Sequence, residues 1–341
     1  MRTLPALPLV LLVSLLSVAQ EGAQQFASLG DFKLENGEVI RDCRVGYRLY
    51  GHLNSDKSNA IVFPSWYGGT SKELEDYLGP GKLIDTSIYY VVTVDALANG
   101  VSTSPSNSSL QPRMKFPAIS IRDMVNSQHQ LLTDKLQIHH LKAVVGDSMG
   151  GLQTFQWIVS YPDFMDYAIP LEGSPRLDAF DRTLFQMEVD AIRGDPAWNQ
   201  GDYTGQPGAT LITEIEALTL TTPQNYNRET PREEFRQAIA ASTRDVATVD
   251  PNDRIRQAEA MIRHDVSAPY GGSMERAAAR VRAKVLVVAD LRDLTITPES
   301  ALDFARLLHA QVLTLDNDCG HNGPECDMKN VAARVAVFLS H

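Results

Sequence analysis

Residues 141–162 read LKAVVGDSMGGLQTFQWIVSYP, and this stretch decides the fold. Leu141, Ala143, Val144 and Val145 form an apolar run of strand length. Gly146-Asp147-Ser148-Met149-Gly150 then turns the chain, and Leu152, Phe155, Gln156 and Val159 follow at helical spacing. A strand, a sharp G-x-S-x-G turn and a helix, in that order, hold a serine in a strained conformation with its hydroxyl clear of the sheet edge. Only small residues two before and two after the serine avoid a clash there. The backbone N–H of Met149, at the positive end of the helix, would face any anion forming beside Ser148. This arrangement implies a nucleophilic serine. The competing reading is a buried serine in an ordinary glycine-rich turn, and the presence or absence of partners decides between them.

Outward from that stretch, strand and helix patterns alternate. Phe32–Tyr50 reads as a hairpin around Asn36-Gly37. Ala60–Phe63 is a buried strand running into Pro64-Ser65-Trp66-Tyr67-Gly68-Gly69, and Ile88–Val94 is the next strand. Ile119–Leu136 has helical spacing, and Tyr167–Leu171 is again a strand. No hairpin follows the N-terminal part, so the sheet is expected to be mainly parallel, with helices on both faces.

The alternation stops near Pro175. Residues 175–274 are polar and helix-rich, broken at Asp195-Pro196, Gly205–Gly208, Thr222-Pro223 and Asp250-Pro251. Their apolar positions (Phe235, Ile239, Ile255, Met261, Ile262) give one-sided helices that need a surface to lie on. This segment is read as a helical cap inserted into a core of residues 24–174 and 275–341. The sheet resumes with Ala283–Ala289 and Gln311–Leu315, and a last helix spans Met328–Leu339.

The serine's partners follow the cap in the order this chemistry uses, acid and then histidine. Ala289 leads into Asp290-Leu291-Arg292-Asp293, and Leu315 leads into Asp316-Asn317-Asp318-Cys319-Gly320-His321. Asp293 is preferred as the acid because it lies close to the proline that opens the next helix, with Asp290 as the alternative; a solvated loop carboxylate or a helix cap would explain either. His321 is the candidate base. His139, His140 and His264 fall at element ends and His309 near a helix end, so they read as surface residues. With Ser148, Asp293 and His321 as the triad, the oxyanion would be met by the N–H of Met149 and by an amide of the 65–67 loop, with Trp66 preferred.

Composition bounds the rest. At 341 residues, 43% hydrophobic and 21% charged, the chain can build one large domain with an insertion. A net charge of −11 excludes nucleic acid as a main partner, since a phosphate backbone needs a basic surface. Arg2, the apolar run Leu4–Ala19 and the small-x-small end Ser17-Val18-Ala19, with Ala23 as a second option, read as a cleavable signal peptide within residues 1–23. An N-terminal anchor is the alternative, disfavoured by the short run and by Pro5 and Pro8. An exported protein without a membrane segment in its mature form is therefore expected. In an oxidising compartment Cys319 and Cys326 could pair, closing a short loop worth about 2–3 kcal/mol; the alternative is three buried thiols. No C-x-x-C or H-E-x-x-H spacing is present, so no metal is expected.

Beyond the elbow, several stretches resemble the homoserine O-acetyltransferase branch of the α/β-hydrolases. They are Gly79-Pro80-Gly81 with Ile84-Asp85-Thr86, Phe116-Pro117 with Ile119–Val125, Ser148-Met149-Gly150-Gly151, Tyr161-Pro162-Asp163, Asp195-Pro196-Ala197-Trp198 with Gly201-Asp202-Tyr203, and Gly320-His321. The resemblance implies an α/β-hydrolase fold and a serine acylated by acetyl-CoA that passes its acetyl group to a hydroxyl. It places nucleophile, acid, base and oxyanion donors on Ser148, Asp293, His321, Met149 and Trp66. Three departures bear on substrate. Asp147 stands where the branch has glycine, Asn322 where it has aspartate, and Val189 where an arginine would hold an amino-acid carboxylate. A valine cannot replace a bidentate guanidinium.

The preferred reading is an exported serine enzyme acting on a small or medium acyl ester without a cofactor. A genuine homoserine or serine O-acetyltransferase would use acetyl-CoA as co-substrate. A non-catalytic binding protein on the same fold is the third reading.

Overall fold

A computed structural model describes residues 21–340, so the expected signal peptide falls almost wholly outside the described residues. Eight strands form one sheet in the order β1-β2-β4-β3-β5-β6-β7-β8. They are β1 (Gln25–Lys33), β2 (Val39–Tyr50), β3 (Ala60–Pro64), β4 (Tyr90–Val94), β5 (Leu141–Asp147), β6 (Met165–Leu171), β7 (Lys284–Asp290) and β8 (Gln311–Leu315). β1 and β2 pair antiparallel, as do β2 and β4, while every pairing from β4 through β8 is parallel. The N-terminal hairpin starts at Gln25, seven residues before the expected Phe32. Two register shifts at Gly30 break its alternation, which hides the first half of the strand from a period-two reading.

The central strands are buried on both faces, as parallel strands covered by helices must be. Along β3, Ile61 and Phe63 face one core cluster and Ala60 and Val62 the other; Ala143 and Val145 against Val144 divide the same way in β5. One face is covered by α1 (Ile121–Gln130), α2 (Met149–Ser160) and, beyond β7, α9 (Glu299–Leu308). The other carries α11 (Met328–Leu339) through Val331, Val335 and Phe338. Ser120 caps α1 reciprocally with Asp123, which places the helix start two residues after the expected Ile119. The run to Lys135 then continues as a wider π-type turn.

Between β6 and β7 lie α3 (Ala179–Gly194), α4 (Ala209–Thr219), α5 (Pro223–Glu229), α6 (Phe235–Val246), α7 (Pro251–Ile262) and the short α8 (Met274–Ala278). The sequence breaks are helix starts. Thr222 and Asp250 cap α5 and α7, each followed by proline at the first helical position. The insert's two ends meet: Val266 N–H donates to Pro175 O at 3.0 Å, and Arg176 bridges Asp265 antiparallel. His264, read above as a surface residue, is buried at this junction, and burial pushes its imidazole down to about 4. The returning chain covers it, which proximity to a helix end could not reveal.

β3 is the point where the strand order reverses, with β4 on one side and β5 on the other. Loops leaving neighbouring strands there diverge and open a crevice at their C-terminal ends. The 65–69 loop and the elbow flank that crevice, and the cap lies over it.

Candidate active site

Ser148 stands between β5 and α2 with φ 55° and ψ −121°, outside the basins a non-glycine residue normally occupies. The turn is locked from both sides. A Cβ on Gly146 would lie 2.1 Å from Gly150 O, and one on Gly150 would lie 2.7 Å from Pro64 O. Ser148 N–H is tied to Leu171 O at 3.0 Å. Sheet pairing and helix packing thus hold the strain at the serine.

Asp293 is 2% exposed, and its Oδ1 accepts the N–H groups of Thr295 (2.7 Å) and Ile296 (3.0 Å). Its Oδ2 lies 2.7 Å from His321 Nδ1, and His321 Nε2 lies 2.9 Å from Ser148 Oγ. With the imidazole proton on Nδ1, the ring donates to Asp293 and accepts from the serine hydroxyl, a relay from three distant parts of the chain. Burial, the largest single influence, lowers the affinity of His321 for a second proton, but the charge and hydrogen bond of Asp293 together with the charges of Asp147 and Glu325 leave the pKa raised. Between the two candidate acids the geometry chooses Asp293. Asp290 spends its oxygens on the N–H groups of Arg292 (2.8 Å) and Asn317 (3.2 Å), shaping the loop instead.

The loop carrying His321 is closed by a Cys319–Cys326 disulfide, and Cys43 is a buried free thiol. His321 sits in a tight turn (Gly320–Asn322) followed by the single turn α10 (Gly323–Cys326).

Trp66 and Tyr67 line the same cavity as Ser148, and Met149 follows the serine directly. Met149 N–H opens α2 and has no intrahelical acceptor. In the 65–67 loop, Ser65 N–H is spent on Val94 O, whereas among the described residues Trp66 and Tyr67 N–H donate to no protein acceptor. Gly68 N–H donates to Gln257 on α7 at 2.9 Å, so the cap braces this loop.

A cavity of about 260 Å³ opens above Ser148 and His321. Its core wall carries Trp66, Tyr77, Asp147 and Glu325; its cap wall carries Phe185, Glu188, Glu216 and Leu220. Among the described residues, neither lysine nor arginine lines it. Glu188 accepts from Tyr67 OH at 2.8 Å and shares Arg254, 3.4 Å away, with Glu216, 2.8 Å from the guanidinium. Burial pushes Glu188 up to about 7 even against the pull of Arg254. Val189 is buried in the core beside Glu188 and does not reach the cavity.

Sequence reading missed Glu172. It follows β6 directly with φ 41°, is 2% exposed, and accepts Asp290 N–H through both oxygens at 2.9 and 3.1 Å. Burial first, and the Asp293 charge second, hold its carboxyl well above the usual range. Donor atoms of Glu172, Asp293 and His321 lie within 4.8 Å of one another, a set that could hold a metal, although His321 Nδ1 and Asp293 Oδ2 already face each other at hydrogen-bond distance. Nothing in the local sequence marks Glu172, because its role arises only where β6 and β7 pair.

Residues 61–325 match the family model described as the alpha/beta hydrolase fold. The chain is 33% identical to an ethyl acetate hydrolase of Pseudomonas veronii over 336 residues, covering 94% of this chain and 96% of that one. It is 32% identical to a homoserine O-acetyltransferase of Methanohalophilus mahii over 348 residues, covering 91% and 71%. Among solved structures, the acetyl esterase MekB superposes with a TM-score of 0.88 at 31% identity, covering 94% of this chain and 98% of that one. An eight-stranded sheet with its elbow after β5, and these relatives across almost its whole length, make the chain a member of the α/β-hydrolase family, in the branch shared by homoserine O-acetyltransferases and esterases.

Proposed function

We propose that this protein is an exported carboxylic ester hydrolase that works through an acyl-serine intermediate on esters with a small or medium acyl group. The observation that carries the proposal is the Ser148–His321–Asp293 relay beneath a small cavity with no lysine or arginine among the described residues of its lining. His321 takes the Ser148 proton as Oγ bonds to the ester carbon. The resulting oxyanion is met by the amides of Met149 and of the 65–67 loop, Trp66 foremost, each such donor being worth about 3 kcal/mol in the barrier. The carbon–alkoxy bond then breaks and His321 returns the proton to the leaving alcohol. Water, deprotonated by His321, repeats the sequence to release the acid. No cofactor or metal enters these steps.

The acceptor is read as water for a specific reason. Acetyl transfer to homoserine needs a cation to seat the amino-acid carboxylate and tolerance of the phosphates of acetyl-CoA. The cavity instead presents Glu188, and Val189, the position the transferase resemblance gave to an arginine, is buried in the core. Export is supported by the signal-peptide pattern and the Cys319–Cys326 bridge. Cleavage after Ala19 is favoured over Ala23, because Gly22 N–H pairs with Leu49 O at 2.9 Å and Glu21 accepts from Gly51.

A fluorophosphonate probe tests the nucleophile: it should label the wild type and not Ser148→Ala. A series of p-nitrophenyl esters, with and without homoserine and acetyl-CoA, tests the rest. Hydrolysis should dominate and decline with acyl length, whereas acetyl transfer to homoserine faster than hydrolysis would overturn the acceptor. Mass spectrometry of the exported chain should give an N-terminus at Gln20.

A further inference from the structure

The core wall of the cavity poses an electrostatic problem that the hydrolytic relay leaves unsolved. Asp147 immediately precedes the nucleophile and lines the cavity. Its Oδ1 is buried without a hydrogen-bond partner. Its Oδ2 has a long contact with Tyr77 OH at 3.4 Å, whereas that hydroxyl donates to Glu325 at 2.7 Å. A buried carboxylate oxygen with no donor costs free energy until something supplies positive charge or a hydrogen. Across the cavity Glu188 and Glu216 share one guanidinium, so the cap wall supplies no surplus positive charge.

Two aromatic faces border the same corner. Trp66 and Tyr77 both line the cavity, with centroids 5.8 Å apart and ring planes inclined by 59°. Angled aromatic faces beside carboxylates are the surroundings that attract ammonium groups, through ring quadrupoles and direct charge. The position also fixes which half of an ester would carry the charge. The leaving alcohol departs toward the ring that returns its proton, and Glu325 follows His321 by four residues on the adjoining turn.

Building on the esterase reading, we propose that Asp147 and Glu325, with Trp66 and Tyr77, seat a positively charged alcohol moiety, making acyl esters of amino alcohols the preferred substrate class. The carboxylates attract the cation, the rings strip part of its hydration, and the ester carbonyl is then delivered to Ser148. Anionic esters are repelled by the same wall. The chain's net charge of −11 adds long-range attraction for cations.

The test compares acetylcholine with 3,3-dimethylbutyl acetate, its uncharged carbon isostere, by kcat/KM in wild type, Asp147→Asn, Glu325→Gln and the double variant. Wild type should prefer the cation by about tenfold or more. Each single variant should shrink that ratio several-fold, and the double variant should bring it near one. The ratio separates recognition from a structural defect, since a damaged fold lowers both rates together. Equal rates in wild type, a preference for the neutral ester, or a ratio untouched by all three variants would overturn the proposal. Ester hydrolysis and Ser148 labelling would stand in each of those cases. Absence of labelling and hydrolysis altogether would instead remove the esterase reading beneath it.

Discussion

The two walls of the cavity are built on different principles. The core wall is fixed by backbone: a positive-φ serine wedged between glycines, an aspartate held by two amides, and a histidine in a loop closed by a disulfide. The cap wall is fixed by side chains, chiefly Tyr67, Glu188, Glu216 and Arg254 sharing one buried charge network. Backbone constraints tolerate little change and suit chemistry common to many esters. A side-chain network can be rewritten one residue at a time, which suits selection among substrates.

The largest effect should come from the core wall. Asp293→Asn should lower kcat by about 10³–10⁴-fold, because the imidazole loses the group that fixes its tautomer and stabilises its cation. Asp290→Asn should keep most of kcat but lose about 1–3 kcal/mol of stability in urea, since an amide cannot accept from both Arg292 and Asn317 as the carboxylate does. The reverse ranking would break the distinction between relay and scaffold.

On the cap wall the expected loss is in folding. Arg254→Met leaves buried Glu188 and half-buried Glu216 without their cation and should cost about 3–5 kcal/mol by denaturant unfolding. Adding Glu188→Gln and Glu216→Gln should recover much of that cost. If the single variant is as stable as wild type, the network is not what holds this wall. Removing the disulfide with Cys319→Ser and Cys326→Ser should cost about 2–3 kcal/mol in the same measurement.

The smallest effect is a shift in pH profile. Only neutral His321 can accept the serine proton, so kcat/KM should rise with pH through a midpoint above the ordinary histidine value, the direction set against burial by Asp293, Asp147 and Glu325 together. Asp293→Asn removes that charge, so its residual activity should reach half its plateau at lower pH. Burial raises Asp147 to about 7 despite the pull of His321. The folded state therefore binds that proton more tightly than the unfolded chain. This contribution to stability is full below the unfolded carboxyl value and fades as pH rises toward 7. Asp147→Asn should flatten the slope in that window, as followed by thermal unfolding across pH.

Much of the core wall was legible because its parts are local or strictly ordered. The elbow declares itself within six residues, and Asp293 and His321 each follow a recognisable strand. Their meeting at 2.7 and 2.9 Å follows from the order β5-β6-β7-β8 of strands that sequence alternation predicts to be mainly parallel. The cap wall was not legible. Tyr67 and Glu188 are 121 positions apart, and Glu188 and Arg254 are 66 apart on different helices. Amphipathic spacing shows that these helices bury a face, but which polar residues on that face meet depends on crossing geometry. Glu172 and His264 were hidden for the same reason: each is defined by a chain segment that returns from far away.

The crossing of the chain at Pro175 and Val266 has a consequence for how such molecules change. The insert leaves and re-enters the sheet at one doorway, latched by the Arg176–Asp265 bridge and its Val266–Pro175 backbone hydrogen bond. Between adjacent parallel strands, the length of the detour matters little to the entropy of closing it. A different set of helices grafted between the same two posts would meet an intact elbow, acid and histidine below. The doorway makes the roof an exchangeable cassette, so new specificities can arise by recombination as readily as by point substitution.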